Sequence, residues 1–150
     1  MGRTYTNLDY HVVFSTKNRY GWISPKIENR VWEYLGGIAN RNGMHPYQIG
    51  GIDDHLHLAL GIPPTLAVSK ALQLLKGGSS KWMGETFPEL RCFGWQDGYG
   101  AFSVSKSILP SVIDYIREQR EHHRHKTFQE EYREILAKHG ISFIDQYLWD

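Results

Sequence analysis

The eleven residues Gly50-Gly51-Ile52-Asp53-Asp54-His55-Leu56-His57-Leu58-Ala59-Leu60 constrain this chain most. A Gly/Asp turn runs into strict alternation, and side chains of a strand point to opposite faces with period two. Leu56, Leu58 and Leu60 therefore take the face turned to a core, while His55 and His57 share the other. Their Cα atoms should lie roughly 6.5–7 Å apart, which lets both imidazoles reach one cation. An exposed strand with two incidental histidines is the plain alternative in a chain with 8 histidines among 150 residues.

A second strand reading falls on Asp9-Tyr10-His11-Val12-Val13-Phe14-Ser15-Thr16, with Tyr10, Val12 and Phe14 on one face and His11, Val13 and Ser15 on the other. Lys17, Arg19 and Tyr20 follow as a basic loop. Ser24-Pro25 predicts a capped helix start, the helix carrying Ile27, Val31, Tyr34, Leu35 and Ile38 and ending at Asn42-Gly43. A strand at about 45–50 pairs with the histidine strand as a hairpin. After Pro63-Pro64, Thr65 is placed to cap a helix bearing Leu66, Ala67, Ala71, Leu72, Leu74 and Leu75. Gly77-Gly78-Ser79-Ser80 reads as a loop ending that helix or, at about 1 kcal/mol per glycine, as a glycine-bearing part of it. Residues 93–104, aromatic and glycine-punctuated, read as a fourth strand with a bend.

Strand, helix, strand, strand, helix, strand is the α+β, ferredoxin-like split βαβ order, with both helices on one face of an antiparallel sheet. Its first and third strands are central neighbours, so His11 falls near His55 and His57 on a face expected to be open. Beyond it, residues 111–120 form a helix after Pro110 on which Tyr115 and Gln119 share a side. The cationic run His122–Lys126 suits a helix C-terminus, and Thr127-Phe128-Gln129-Glu130 is a capping box opening a last helix closed by Gly140. That helix and the tail are assigned packing or subunit contact only.

Composition narrows the setting. At 41% hydrophobic and 13% aromatic the chain is no disordered polymer, and a length of 150 residues suits one domain, 1–150. No apolar run approaches the roughly 18–20 residues of a membrane span, and a single cysteine with no signal-peptide core places the protein in the cytoplasm. The net charge of +1 conceals an asymmetry, 9 basic against 5 acidic residues in 1–82 and 8 against 11 in 83–150, which leaves a local basic face open.

His55, His57 and Gln119 make a three-point cation site without protein charge, so a phosphodiester would supply the negative ligands. A phenol is a weak nucleophile near neutral pH, and its attack on phosphorus needs a cation to withdraw charge; Tyr115, one helical turn before Gln119, stands where that attack is possible. A covalent phosphotyrosine keeps an ester bond, and a second strand's hydroxyl can reverse the step and reseal nucleic acid.

The ordered set Tyr10–Lys17, Asp54–Leu58, Lys76-Gly77, Trp95–Tyr99 and Tyr115–Gln119 resembles the single-tyrosine HUH transposases of bacterial insertion sequences and their REP-associated relatives. The resemblance implies that His55, His57 and Gln119 bind Mg²⁺ or Mn²⁺. It implies that Tyr115 cuts single-stranded DNA, leaving a 5′-phosphotyrosine and a free 3′-OH, and that a homodimer recognises DNA hairpins, with the tyrosine helix sometimes serving the partner's histidine pair. His11, Lys17, Arg19, Lys76 and Lys81 are then expected on the DNA backbone. Two other readings stay open on residues alone: a non-catalytic single-strand RNA- or DNA-binding module, for the aromatic Gly98–Phe102 segment, and a small zinc-dependent hydrolase in which Gln119 would be idle.

Overall fold

The computed structural model describes residues 2–149. Four strands, β1 (Asp9–Ser15), β2 (His45–Ile52), β3 (His55–Gly61) and β4 (Gly100–Val104), form one antiparallel sheet in the order β2-β3-β1-β4. Helices α1 (Glu28–Arg41) and α2 (Val68–Thr86) follow β1 and β3, which is the ferredoxin-like arrangement. Three shorter helices close the chain: α3 (Leu109–Arg117), α4 (Gln119–His122) and α5 (Phe128–Lys138). Among the described residues no helix is long and apolar enough to cross a membrane.

The alternation in β1 and β3 decides which layer packs where. Val12, Phe14, Leu56, Leu58 and Leu60 are fully buried against Val31, Leu35, Leu72 and Leu75 of α1 and α2. The second face is not open as the sequence leads one to expect. Ala59 packs on Leu109 and Ile116 of α3, and Val13 and Phe102 pack on Phe128, Tyr132 and Leu136 of α5. An amphipathic helix must bury its stripe somewhere, and the sheet's second face is the apolar surface within reach.

Several local expectations shift. Gly77 to Ser80 lie inside α2, not in a loop. A side chain at Gly78 would meet Ile38 Cδ1 at 3.0 Å, so its absence lets α2 approach α1, while buried Ser79 bonds back to the Leu75 carbonyl at 2.6 Å and receives the Trp95 indole N–H at 2.9 Å. The fourth strand is five residues long instead of twelve. Phe93 and Trp95 turn into the core, and the 96–98 carbonyls accept from Lys76 Nζ at 2.6, 3.1 and 2.9 Å, so they do not serve a ladder. Neither Ser24 nor Thr65 caps a helix through its side chain: α1 begins at Glu28, three residues after Pro25, and α2 begins at Val68. Thr127 does cap α5, accepting from Glu130 N at 3.2 Å.

Candidate active site

Strand pairing sets Val13 opposite His57 and Ser15 opposite His55, so both imidazoles project from β3 beneath the C-terminal helices. They are fully buried. Phe128 stacks on the His55 ring with centroids 4.3 Å apart, and the His123 ring meets it edge-on at 4.5 Å. Its Nδ1 lies 2.8 Å from Asp54 Oδ1, and its Nε2 lies 3.0 Å from Gln119 Oε1. His57 faces the same point: its Nδ1 is 2.8 Å from His11 Nε2, and its Nε2 is 3.0 Å from Glu131 Oε1.

The helix expected over 111–120 breaks at Glu118, where ψ reaches 24°, and Gln119 opens α4. The break leaves Tyr115 and Gln119 on the same side. Gln119, 1% exposed, donates from Nε2 to Glu131 Oε2 at 3.2 Å, which fixes its amide with the oxygen turned to His55. Half-buried Tyr115 donates its hydroxyl to the same Glu131 oxygen, and its ring lies edge-on to His57 at 5.7 Å. The nucleophile candidate, the paired imidazoles and the carboxamide thus meet in one subunit.

Glu131 and His123 complete the cluster, and neither stands out in the sequence. Glu131 is 2% exposed although it sits in a charged-looking Gln-Glu-Glu-Tyr-Arg-Glu helix. The packing-only role expected for α5 is therefore corrected by the carboxylate it delivers. Burial alone would raise the Glu131 carboxyl, but hydrogen bonds from His123 and His57 hold it below the usual carboxylate range. His123 Nε2 lies 3.2 Å from both Glu131 Oε1 and Gln119 Oε1; burial opposes its charged form, yet the Glu131 bond and charge win and lift it above an ordinary histidine. Burial, with His57 beside it, pushes His11 down to about 3, and burial lowers His57 too, so both are neutral at pH 7. Tyr115 is raised by burial first and by the Glu131 charge second, and it rests as a phenol.

The donor set suits a divalent cation. Asp54 Oδ1 can only accept, which favours a proton on His55 Nδ1 and turns Nε2, 3.0 Å from the Gln119 oxygen, toward the centre of the cluster. His55, His57 and Glu131 each turn one ligand atom to within 4.8 Å of the others. Their nitrogen and oxygen donors are of the kind that divalent cations such as Mg²⁺ and Mn²⁺ accept.

The expected DNA contacts scatter. His11 is 7% exposed, faces His57 and lines the floor of a cleft that also reaches Tyr115. Lys76 holds the 96–98 carbonyls, and Lys76 and Lys81 belong to α2, on the far side of the sheet from the imidazoles. Exposed Lys17 and half-buried Arg19 flank the near loop, and Arg19 lines a cavity of about 400 Å³ with Arg120, Arg124, His123 and Asp54. A second cleft of about 460 Å³ opens between α3 and α5, reaching Tyr115 and Glu131 past Lys126 and Lys138.

The chain is similar to known proteins. Residues 4–119 match the family described as Transposase IS200 like. The chain is 28% identical over 126 residues to the ISDra2 transposase TnpA of Deinococcus radiodurans, covering 80% of this chain and 90% of that one. It is 31% identical over 127 residues to the transposase for insertion sequence element IS200 of Salmonella typhimurium, covering 81% and 82%. A transposase crystal structure from Deinococcus radiodurans R1 superposes with a TM-score of 0.65 at 28% identity, over 79% of this chain and 96% of that one. The REP-associated tyrosine transposase bound to a REP hairpin shares the fold, with a TM-score of 0.56 at 14% identity over 79% and 70%. The chain belongs to the IS200-like transposase family, whose members act in DNA transposition.

Proposed function

We propose that this transposase cuts and rejoins single-stranded DNA through a tyrosine–phosphate linkage, with His55, His57 and Gln119 holding a divalent cation, Mg²⁺ or Mn²⁺. One observation carries the reading: a single carboxylate, Glu131, touches both the Tyr115 hydroxyl and His57 Nε2, so nucleophile and cation ligands are spaced as a bridging phosphate would need. A cation bound there would withdraw charge from the scissile phosphate and make it a target for a phenol. Tyr115 gives up its phenol proton and bonds through its oxygen to phosphorus; the bond from phosphorus to the 3′ oxygen breaks, and one proton, equivalent to the one the phenol gave up, completes the 3′-OH of the released strand end. The ester is kept, so the reverse attack by another 3′-OH reseals DNA. The α3–α5 cleft, with Lys126 and Lys138, offers the strand a route to Tyr115, and Arg19 lines the other cavity with Arg120 and Arg124. A hairpin substrate is proposed from the fold-sharing relative bound to one, and a homodimer from the resemblance.

The test mixes the protein with labelled hairpin DNA and Mn²⁺, denatures it and looks for labelled protein. An adduct is expected that Tyr115→Phe abolishes and His57→Ala suppresses, with hairpin binding largely kept in both. Cleavage without an adduct would instead identify a hydrolase, and binding without cleavage a recognition module.

A further inference from the structure

An imidazole presents one nitrogen to a cation only when the other nitrogen carries the proton, and the group bonded to that second nitrogen decides the matter. Here both second nitrogens are occupied. We infer that Asp54 and His11 are positioning residues: Asp54 fixes the ring orientation and tautomer of His55, and His11 holds the His57 ring in place in either tautomer, so that both rings turn Nε2 toward one divalent cation. The inference rests on the cation reading above and deepens it by two residues outside the proposed ligand set.

The two partners differ in kind. Asp54 sits in the tight turn between β2 and β3, and its backbone carbonyl is pinned by Thr16 N at 2.8 Å and Thr16 Oγ1 at 3.2 Å. Its carboxylate can only accept, which keeps the His55 proton on Nδ1. His11 works across the sheet. It pairs with Ala59, whose small side chain leaves room for the His11 ring to lean over its diagonal neighbour and stack on His57 at 5.0 Å. Edge contacts with Phe102 at 6.5 Å and Tyr115 at 6.1 Å set its other sides.

A neutral imidazole can donate or accept at Nε2. With His57 bonded to Glu131, His11 donates to His57 Nδ1. When His57 Nε2 takes a cation, its proton must sit on Nδ1, and His11 then accepts it. Lysine or arginine at position 11 could not make that exchange. This gives the buried histidine of the Tyr-His-Val-Val-Phe segment a role beside His57.

The test measures Mn²⁺ affinity of the full-length protein by electron paramagnetic resonance of the free ion, without DNA, in His11→Phe, His11→Gln, Asp54→Ala and Asp54→Asn. His11→Phe and Asp54→Ala are expected to weaken binding roughly ten- to a hundredfold. His11→Gln and Asp54→Asn keep an acceptor in place and should recover most of it. Nitrogen-15 spectra of the metal-free protein should show His55 protonated at Nδ1, a preference that Asp54→Ala removes while its thermal midpoint stays near wild type. Unchanged affinity in the two deletion variants overturns the inference, and so does an equal loss in the acceptor-keeping ones. Wild-type protein that binds no Mn²⁺ overturns it together with the cation reading. Mn²⁺ bound with the predicted order of affinities but no DNA adduct supports the inference and sinks only the cleavage reading.

Discussion

At the scale of the residue, Gln119 makes the most exacting demand. Both ends of its amide are engaged, the oxygen turned to His55 and His123 and the nitrogen donating to Glu131 at 3.2 Å. Gln119→Glu replaces that donor with a second buried carboxylate facing the first, and an unpaired buried acceptor costs about 1–3 kcal/mol, more when charged. A divalent cation would offset the repulsion. We therefore expect the variant to melt lower than wild type without metal, and to gain more than wild type when Mn²⁺ is added; differential scanning fluorimetry with and without the ion reads both. Wild-type behaviour in both conditions would mean that Gln119 does not face the cation. The sequence made His55, His57, Tyr115 and Gln119 legible because each pair is set by local geometry, period two on a strand and one turn of helix. Glu131 and His123 were not legible in that way. Their places depend on how α5 folds back across the sheet, and no spacing along the chain encodes that.

At the scale of the element, the tyrosine helix is located by a glycine on the strand beneath it. A Cβ built on Gly50 would lie 2.5 Å from the Ile116 carbonyl oxygen and 3.2 Å from Ile116 Cγ2, so α3 rests directly on the backbone of β2. Gly50→Ala forces that backbone to retreat, and overpacking of this kind costs about 1–3 kcal/mol. Tyr115 precedes Ile116, so the displacement reaches the phenol. The expected result is a lowered unfolding midpoint together with a loss of adduct formation out of proportion to the remaining folded fraction, with hairpin binding less affected. A variant as active as wild type per folded molecule would show that α3 adjusts freely. Strands β1 and β3 followed from hydrophobic alternation, β2 from its place as the hairpin partner of β3, and β4 from an aromatic, glycine-punctuated segment. Helix starts at Ser24 and Thr65 and the length of β4 did not, because tertiary partners prevailed over local signals: the Lys76 amine took the carbonyls that a longer ladder would have used.

At the scale of the whole molecule, two helical layers enclose the sheet, and the second is held partly through charge. The layer of α1 and α2 rests on a broad apolar core, whereas α5 docks through Phe128, Tyr132 and Leu136 and through Glu131 among the histidines. The family match ends at residue 119, so α5 lies beyond the matched residues yet reaches the candidate site. A cation there would tie β3, α4 and α5 together. Binding confined to the folded state stabilises by about 2.7 kcal/mol at a hundredfold excess over the dissociation constant. Saturating Mn²⁺ should therefore raise the thermal midpoint and slow amide exchange in α4 and α5 more than in the central strands β1 and β3, and His57→Ala should abolish both effects. The α5 response is the informative part, because Glu131 Oε1 lies 3.0 Å from His57 Nε2. Slower exchange there means that the carboxylate stays with the ion and must yield only to the phosphate. Faster exchange on adding Mn²⁺ alone would mean that the ion expels Glu131 and frees α5 before any DNA arrives.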